Sequence, residues 1–155
     1  MTILGIDPGA SGGLAFFDME RGLLDVFDMP TVEVKRGGKN KREVSPAMLK
    51  TIIHARNVES AFVEKVGAMP GQGVSSMFQF GRSVGMIEGV LATLDIPTSY
   101  VTPQKWQKEV GARGGKDAGR ARAAELFPAY AANFSRKKDD GRADASLIAW
   151  YGAQQ

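Results

Sequence analysis

Short apolar runs separated by turn-forming residues occupy the N-terminal part of the chain. The runs Thr2–Asp7, Gly12–Asp18 and Leu23–Met29 have the length of strands and predict an antiparallel meander of hairpins. The stretch Pro30–Glu43 is polar, basic and contains glycine, which predicts a loop.

The rest of the chain alternates helical and strand patterns. Ser45 and Pro46 predict the cap and first turn of a helix that runs to about Ala55. Ser60–Val66 predicts a compact apolar strand, and the Gly/Pro-rich segment Gly67–Gly73 predicts a loop. The remaining predicted elements are a long helix to about Leu94, a strand at Pro97–Val101, a turn begun by Pro103, a helix at Lys116–Phe127, a loop at Pro128–Lys138 and a helix at Asp140–Tyr151. This order indicates an α/β fold with a mixed five-stranded sheet, in which a three-strand antiparallel meander adjoins parallel strands, and with helices on both faces.

Size and composition indicate an ordinary folded chain. The 155 residues suit one domain spanning 1–155, and 43% apolar with 24% charged residues is typical of globular proteins. No apolar run is long enough for a membrane helix, and Met1–Asp7 lacks the features of a signal peptide. We therefore expect a cytoplasmic protein.

The scarcity of two residue types excludes much catalytic chemistry. The chain has no cysteine, which excludes thiolate nucleophiles, iron–sulfur clusters and thiolate zinc sites. His54 is the single histidine, which excludes a His-rich metal centre. A metal site must therefore use oxygen ligands, which favours Mg²⁺ or Mn²⁺.

Positive charge is concentrated in two segments. The first contains Lys35, Arg36, Lys39, Lys41 and Arg42. Between positions 100 and 138 the chain carries nine basic and three acidic residues, so this segment can attract a polyanion.

Four carboxylates occupy positions where an unpaired charge is costly. Asp7 ends the first apolar strand, and Glu64 lies within the strand FVEKV. Asp144 precedes Leu147 and Ile148 by three and four residues and thus points from the apolar stripe of the last helix. Asp140 shares that face four residues earlier. Buried carboxylates must be paired, ligated or protonated.

Each of these acids also has a structural interpretation. Asp140, or its neighbour Asp139, is alternatively the N-cap of the last helix. Asp7 is alternatively a turn former, and Glu64 a partner of a lysine. A joint metal site explains all four acids together, and with basic surroundings it favours two-metal phosphodiester hydrolysis.

The motifs resemble those of RuvC-type crossover junction endonucleases, the Holliday junction resolvases, and especially their phage branch. The matching segments are Gly5–Gly9 (GIDPG), Val63–Val66 (VEKV), Ala68–Val74 with Phe78 and Phe80, Val101–Trp106 (VTPQKW) and Asp140–Ala145 (DGRADA). They extend over nearly the whole chain. GIDPG alone is a weak signal because actin-like ATPases and sugar kinases begin similarly.

The resemblance implies a ribonuclease H-like fold and a homodimer that nicks two symmetrical strands of a four-way DNA junction during recombination or repair. It implies that Asp7, Glu64 and Asp144 bind Mg²⁺ or Mn²⁺, two ions per active site, with Asp140 as the fourth ligand. The products would carry 5′-phosphate and 3′-hydroxyl ends.

Two features depart from the bacterial pattern. The bacterial members pair their last two acids three residues apart, whereas position 141 is glycine here and the partner, Asp140, lies four residues before Asp144. They also place an aromatic residue three positions after the second carboxylate, where this chain has Gly67. Met69 on the Gly/Pro loop is our candidate for a side chain that wedges into the junction. Phe78 and Phe80 are alternatively core residues.

Basic residues near the acids are candidates for DNA contacts. We expect Lys105, Lys108 and Lys116 to hold the scissile strand, with Lys116 also stabilising charge in the transition state. The further DNA-binding candidates are Arg120, Gln72, Lys39, Lys41 and Arg42. The alternative is a solvated helical face for the lysines and a tolerated surface loop at Lys35–Arg42, whose closure over DNA arms is our hypothesis.

Glycines at positions 81, 85 and 89 leave one face of the long helix bare, which suits either a dimer contact or helix packing within the chain. Trp106 is expected to anchor the core, and His54 to have no catalytic role.

Two other functions remain open at this stage. A ribonuclease acting on RNA or RNA–DNA hybrid would need the same fold and metals. A non-catalytic module that binds branched DNA would use the same basic surface without metal.

Overall fold

The computed structural model describes residues 1–155 and consists of seven strands, five α-helices and two short 3₁₀ segments. The strands are β1 (Thr2–Asp7), β2 (Gly13–Asp18), β3 (Leu23–Asp28), β4 (Thr31–Arg36), β5 (Lys39–Val44), β6 (Val58–Glu64) and β7 (Thr98–Val101). The helices are α1 (Pro46–His54), α2 (Val74–Thr93), α3 (Pro103–Val110), α4 (Lys116–Leu126) and α5 (Asp140–Ala153), and the 3₁₀ segments are Pro128–Phe134 and Lys137–Asp139. None of the helices has the combination of length and hydropathy needed to span a membrane.

A mixed five-stranded sheet forms the centre of the fold, with strand order β3-β2-β1-β6-β7. The strands β3, β2 and β1 form an antiparallel meander, while β6 pairs in parallel with β1 and β7 in parallel with β6. The expected fold class is therefore confirmed. Because β1 and β6 are parallel neighbours, their carboxyl ends, which carry Asp7 and Glu64, meet at the same edge of the sheet.

Helices cover both faces of this sheet. One core contains residues of α3, α4 and α5, including Trp106 and Ile148, and the other contains residues of α1 and α2, including Leu49 and Ile87. The apolar strands are buried on both faces, which explains their nearly continuous hydrophobic runs.

The last helix crosses directly over β1. A Cβ on Gly5 would collide with the backbone of α5 at Ala145 and Ala149, and a Cβ on Gly13 would collide with the backbone at Gly141. These close approaches fix the position of α5 over the sheet edge, so that the acids on its first turns are placed with respect to Asp7.

The prediction of a loop at Pro30–Glu43 is wrong. The segment forms the β4–β5 hairpin, a separate two-stranded sheet with register Arg36↔Lys39 at its tip. Gly37 and Gly38 form the turn with φ of +57° and +73°, as a two-residue hairpin turn requires. The strands of this hairpin are mostly exposed and charged, so the hairpin forms without burying a whole face.

The prediction of a simple turn at Pro103 is also wrong. Pro103 occupies the first turn of α3, and the helix ends at Val110, followed by Gly111, whose left-handed φ of +73° is typical of a helix C-cap. Trp106 lies on this helix, and its indole is buried in the core. The predicted loop at Pro128–Lys138 contains the two 3₁₀ segments instead. The other predicted elements agree with the structure apart from shifts at their ends.

Candidate active site

Asp7 and Glu64 come from neighbouring parallel strands. Asp7 is the last residue of β1, and Glu64 is the last residue of β6. Both side chains are partly buried at the edge of the sheet. The residues just before each acid are apolar, Gly5–Ile6 in β1 and Ala61–Val63 in β6, so the carboxylates are the polar groups at the carboxyl ends of these strands.

The N-terminal turns of α5 bring two further acids to this edge. Asp140 is the first residue of α5, and Asp144 follows one turn later. Asp144 points toward α4, where a Cβ on Gly119 would lie 3.3 Å from its Oδ1 atom. The glycine in α4 thus leaves room for this carboxylate.

The carboxylates interact electrostatically. Burial, followed by repulsion from Asp144, Glu64 and Asp140, raises the pKa of Asp7 well above its ordinary value. Burial, followed by repulsion from Glu64 and Asp140, raises the pKa of Asp144 to about 7. Glu64 also has a raised pKa because of burial. The fold therefore keeps several carboxylates close enough to destabilise one another's ionised forms, which is common at functional sites.

These acids form a loose rather than a tight cluster. No three His, Asp or Glu side chains of the chain lie close enough together to hold one metal ion as they stand. The donor set nevertheless fits a hard cation, because Asp7 and Asp144 experience burial and repulsion with no hydrogen bond to satisfy either carboxylate. Like-charged carboxylates stay apart unless a cation lies between them.

Lys116 contacts the acid cluster at Asp140. Its Nζ atom lies 2.8 Å from Asp140 Oδ2, while most of the lysine side chain is exposed. This ion pair raises the pKa of Lys116. The structure thus brings together the lysine and the acid that the sequence analysis selected separately.

Trp106 has a role that the sequence analysis missed. Its Nε1 atom donates a hydrogen bond of 2.8 Å to Glu64 Oε2, and this bond lowers the pKa of Glu64 against the effect of burial. The indole is almost fully buried, so the expected core role is correct, and the same ring also orients an acid of the site. Recognition of Pro103 as a helix start would have placed Trp106 on a helix beside β6.

Asp139 differs from Asp140 in its contacts. It is 1% exposed, accepts a hydrogen bond of 2.8 Å from Arg136 Nη2 and accepts another of 2.9 Å from the Arg136 backbone N–H. These bonds with Arg136 lower its pKa. Asp139 occupies the N-cap position of α5, but its side chain does not cap that helix. Its charge is satisfied within the protein, whereas the charge of Asp140 faces the acid cluster and Lys116.

A cleft of about 510 Å³ adjoins the acids between the loop after β6 and the start of α3. Glu64, Met69, Gln72 and Phe80 are among the residues that line it. Met69 is 62% exposed and therefore available for contact with a ligand. Phe80 is partly buried, whereas Phe78 is 69% exposed and is not a core residue.

The other basic candidates differ in position. Lys105 lies on α3 with its Nζ atom 6.0 Å from the ring centre of Tyr151, toward the far end of α5 from Asp140, and Lys108 is exposed on the same helix. Arg120 donates hydrogen bonds of 3.2 Å to the carbonyls of Phe134 and Ser135, which ties α4 to the following 3₁₀ segment. Their roles in DNA binding stay predictions.

The basic hairpin lies against the active-site edge. Arg42 Nη2 donates a hydrogen bond of 3.3 Å to Ser11 Oγ, in the turn that follows Asp7. Arg42 also lines a polar cleft of about 400 Å³ together with Lys116 and Asp140. Lys39 and Lys41 are exposed along β5.

The glycine face of α2 has no partner within the chain. A Cβ added to Gly81, Gly85 or Gly89 would meet nothing within 4 Å. Val74 and Phe78, on the same face, are 88% and 69% exposed. The alternative in which this face packs against another helix of the chain is therefore wrong.

Comparison with known proteins agrees with this architecture. The chain is 29% identical over 154 residues to the chloroplastic Holliday junction resolvase MOC1 of Chlamydomonas reinhardtii, a match that spans 85% of this chain and 18% of that protein. The chain thus spans about a fifth of the length of that curated relative. No family model matches the sequence.

Solved structures give the same result at the level of the fold. Over 99% of the chain, the structure is similar to T. thermophilus RuvC in complex with a Holliday junction substrate, with a TM-score of 0.67, 15% identity and 93% of that chain covered. A second Thermus thermophilus RuvC structure matches over 99% of this chain and 96% of that one, with a TM-score of 0.62 and 15% identity. The fowlpox virus Holliday junction resolvase matches over 99% of this chain and 98% of that one, with a TM-score of 0.51 and 13% identity.

The chain therefore has the α/β fold of RuvC, the ribonuclease H-like architecture that the motif resemblance implies. The resemblance of its motifs to the RuvC-type Holliday junction resolvases is confirmed by the resolvase relative and by these structural matches.

Proposed function

We propose that the chain is a structure-selective endodeoxyribonuclease that resolves four-way DNA junctions by paired, metal-dependent nicks. The observation that carries the proposal is the convergence of Asp7, Glu64 and Asp144, from three separate elements, at one edge of a RuvC-like sheet. Lys116 and Asp140 lie at the same edge. The similarity to resolvases identifies branched DNA as the substrate to test first.

Asp7, Glu64, Asp140 and Asp144 would hold Mg²⁺ or Mn²⁺, two ions per site. When bound, such ions activate a water molecule and stabilise negative charge on the phosphate. In the hydrolysis, water adds to the phosphorus, the bond from phosphorus to the 3′ oxygen breaks, and the products are a 5′-phosphate and a 3′-hydroxyl.

The protein's own groups have separate tasks in this proposal. Trp106 holds Glu64 through its indole N–H, which orients the carboxylate and favours its ionised form against the effect of burial. Lys116 provides a flexible positive charge beside Asp140 that is exposed enough to contact a phosphate. Gly119 leaves space for Asp144.

Paired nicks require two active sites, and we propose a homodimer for this reason. The exposed apolar and glycine-lined face of α2 is the surface we assign to the contact, because glycines allow two helices to approach closely. A two-fold dimer matches the two-fold symmetry of a four-way junction.

Met69 is our candidate for the side chain that enters the junction centre. It is exposed on the rim of the cleft that contains Glu64, and an apolar side chain can lodge between unstacked bases. Gln72 on the same rim, together with Lys105 and Lys108 on α3 and Arg120 on α4, completes the proposed DNA contacts.

Cleavage of an end-labelled immobile four-way junction tests the function. Linear duplex and RNA–DNA hybrid serve as competing substrates, with Mg²⁺, Mn²⁺ or EDTA, and the proteins are wild type, Asp7→Asn and Asp139→Asn. We expect symmetrical metal-dependent nicks in the junction that Asp7→Asn loses while it still binds. Asp139→Asn is the matched control, since that buried acid is satisfied by Arg136 and should leave cleavage intact if folded.

Other outcomes would contradict the proposal in distinct ways. Preferential cutting of the hybrid would assign the site to a ribonuclease. Junction binding without cleavage in either metal would assign the chain to the class of non-catalytic DNA-binding modules.

A further inference from the structure

A polar groove runs between the β4–β5 hairpin and the N-terminal half of α2. Its outer part, about 320 Å³, is lined by Arg36 and Lys41 from the hairpin and by Ser75, Ser76 and Gln79 from α2. None of its lining residues is hydrophobic. A ligand that offers charge and hydrogen-bond acceptors along its length would match an entirely polar groove beside the proposed nuclease site.

The groove adjoins the polar cleft that contains Lys116 and Asp140. Arg36 and Gln79 also line a smaller inner pocket of about 170 Å³, which contains Ala10 and Arg42. Ala10 and Arg42 in turn line the cleft that holds Lys116 and Asp140. The three spaces therefore adjoin one another through shared lining residues and outline a path from Asp140 toward the outer end of the hairpin.

Positive charge along this path exceeds what the protein neutralises. Glu43 is the acidic residue of the inner pocket, and it already pairs with Arg36 at 3.4 Å and with Arg82 at 3.3 Å. The Nε atom of Arg36 is buried without a hydrogen-bond partner. The Arg36 side chain as a whole is 30% exposed and lines both the outer groove and the inner pocket, so an acceptor there can contact its guanidinium.

The helix wall suits the same kind of ligand. Ser75, Gln79 and Ser83 recur at four-residue spacing on one face of α2, which places hydroxyl and amide groups in a row. The first turn of α2 follows Gly73 and has no side-chain cap, so its backbone N–H groups are free to bind an anion. Hydroxyl, amide and guanidinium groups are the usual contacts to a sugar–phosphate backbone.

Two side-chain contacts link the hairpin to the rest of the fold. Arg42 attaches it to Ser11 beside the active site, and Glu43 attaches it to Arg82 of α2. Both walls of the groove are therefore part of one framework, which suits a site that holds a strand in register with the acids.

We propose that this groove binds the phosphate backbone of the DNA strand that continues from the scissile phosphate. The inference rests on the proposed nuclease function and adds a defined path for the strand, with Arg36, Lys41, Ser76 and Gln79 as its binding residues. It also gives the hairpin, which its many charged residues predict to be a loop, a role in positioning the DNA strand.

Two variants test the groove by fluorescence anisotropy with a labelled four-way junction in EDTA over a range of salt concentrations. Lys41→Ala should weaken binding roughly three- to tenfold and lower the slope of log affinity against log salt by about one. Ser76→Asp places a negative charge in the groove and in the first turn of α2, so it should weaken binding by at least as much without lowering the melting temperature.

Two lysines provide comparisons. Lys50→Ala on α1 removes the same charge away from the groove and should leave affinity nearly unchanged. Lys35→Ala removes a charge from the face of the hairpin opposite Arg36, and its effect should be smaller than that of Lys41→Ala. Equal losses for Lys35→Ala and Lys41→Ala would overturn the groove in favour of a generally basic hairpin, and unchanged binding by Ser76→Asp would overturn it as well.

The proposed function fails separately from the groove. If wild type cuts the junction and the groove variants bind like wild type, the groove is wrong and the nuclease stands. If wild type binds linear or single-stranded DNA but no junction, the same variants are measured on that DNA, and their loss of affinity would support the groove alone. A wild type that binds no DNA overturns both.

Discussion

Replacement of Asp144 by Asn should stabilise the metal-free protein while it abolishes cleavage. A pKa displaced from 3.8 to about 7 corresponds to about 4 kcal/mol of unfavourable interaction in the ionised carboxylate. Solvent screening at this partly exposed side chain reduces the effect to about 2 kcal/mol. For a chain of this length that gain raises the melting temperature by about 4–8 °C at pH 8.

The pH dependence of this gain identifies its cause. The folded protein binds the Asp144 proton more tightly than the unfolded chain does, so wild-type stability falls as the pH rises from about 4 to about 7 and then levels off. Asp144→Asn lacks this contribution. The difference in unfolding free energy between the two proteins should therefore be small near pH 4 and reach its full value above pH 7, whereas any packing cost of the amide is independent of pH.

Urea denaturation in EDTA at pH 4 to 8 measures the effect. Asp139→Asn is the matched control with the opposite sign, because Arg136 lowers the pKa of Asp139 and that carboxylate stabilises the fold at neutral pH. Its replacement should destabilise the protein by about 2 kcal/mol, the usual contribution of hydrogen bonds to a charged group. Parallel pH profiles for wild type and Asp144→Asn would refute the reasoning. So would a loss of stability at pH 8 in Asp144→Asn.

Three further changes test individual contacts. Trp106→Phe removes the hydrogen bond that lowers the pKa of Glu64, so the acid limb of the cleavage pH profile should move to higher pH, and an unmoved limb would contradict an orienting role. Gly119→Ala should leave the melting temperature equal or higher, since alanine favours helix by about 1 kcal/mol, yet lower single-turnover cleavage because its Cβ crowds Asp144. Gly85→Arg should convert a dimer to monomers in sedimentation and prevent paired incision, and an unchanged sedimentation profile would exclude the α2 contact.

The sequence was most informative where local pattern and tertiary position coincide. The pattern predicts Asp7 at the end of an apolar strand, as observed, and Glu64 within the strand Ser60–Val66, whereas Glu64 is the last residue of β6. In both cases an acid beside a buried apolar run is visible in the residues themselves. Asp144 was recognised from its spacing to Leu147 and Ile148, because a helix repeats its faces every three to four residues. The motif resemblance then connected these acids into one expected site.

The failures have identifiable physical causes. The β4–β5 hairpin alternates valines with charged residues and has Gly37-Gly38 at its turn, but its high charge favoured a loop, and an exposed hairpin has no continuous apolar run to reveal it. Pro103 was interpreted as a turn although Pro46 was interpreted correctly as a helix start. The two helix starts differ in their caps. Ser45 Oγ accepts a hydrogen bond from the backbone N–H of Met48, whereas the side chain of Thr102 forms no capping hydrogen bond.

The sequence by itself determined the order of the elements apart from the β4–β5 hairpin and α3, the oxygen-only chemistry and the identity of the candidate acids, because periodicity and residue type are local properties. Only the tertiary structure decided which groups meet: Trp106 with Glu64, Lys116 with Asp140, Asp139 with Arg136 instead of with the acid cluster, and the hairpin with α2. Most of these contacts join residues that are distant in the chain, and the contact of Asp139 with Arg136 distinguishes that acid from its neighbour Asp140. They depend on how α5 packs against β1 and how the hairpin folds back, and neither is encoded in any short segment.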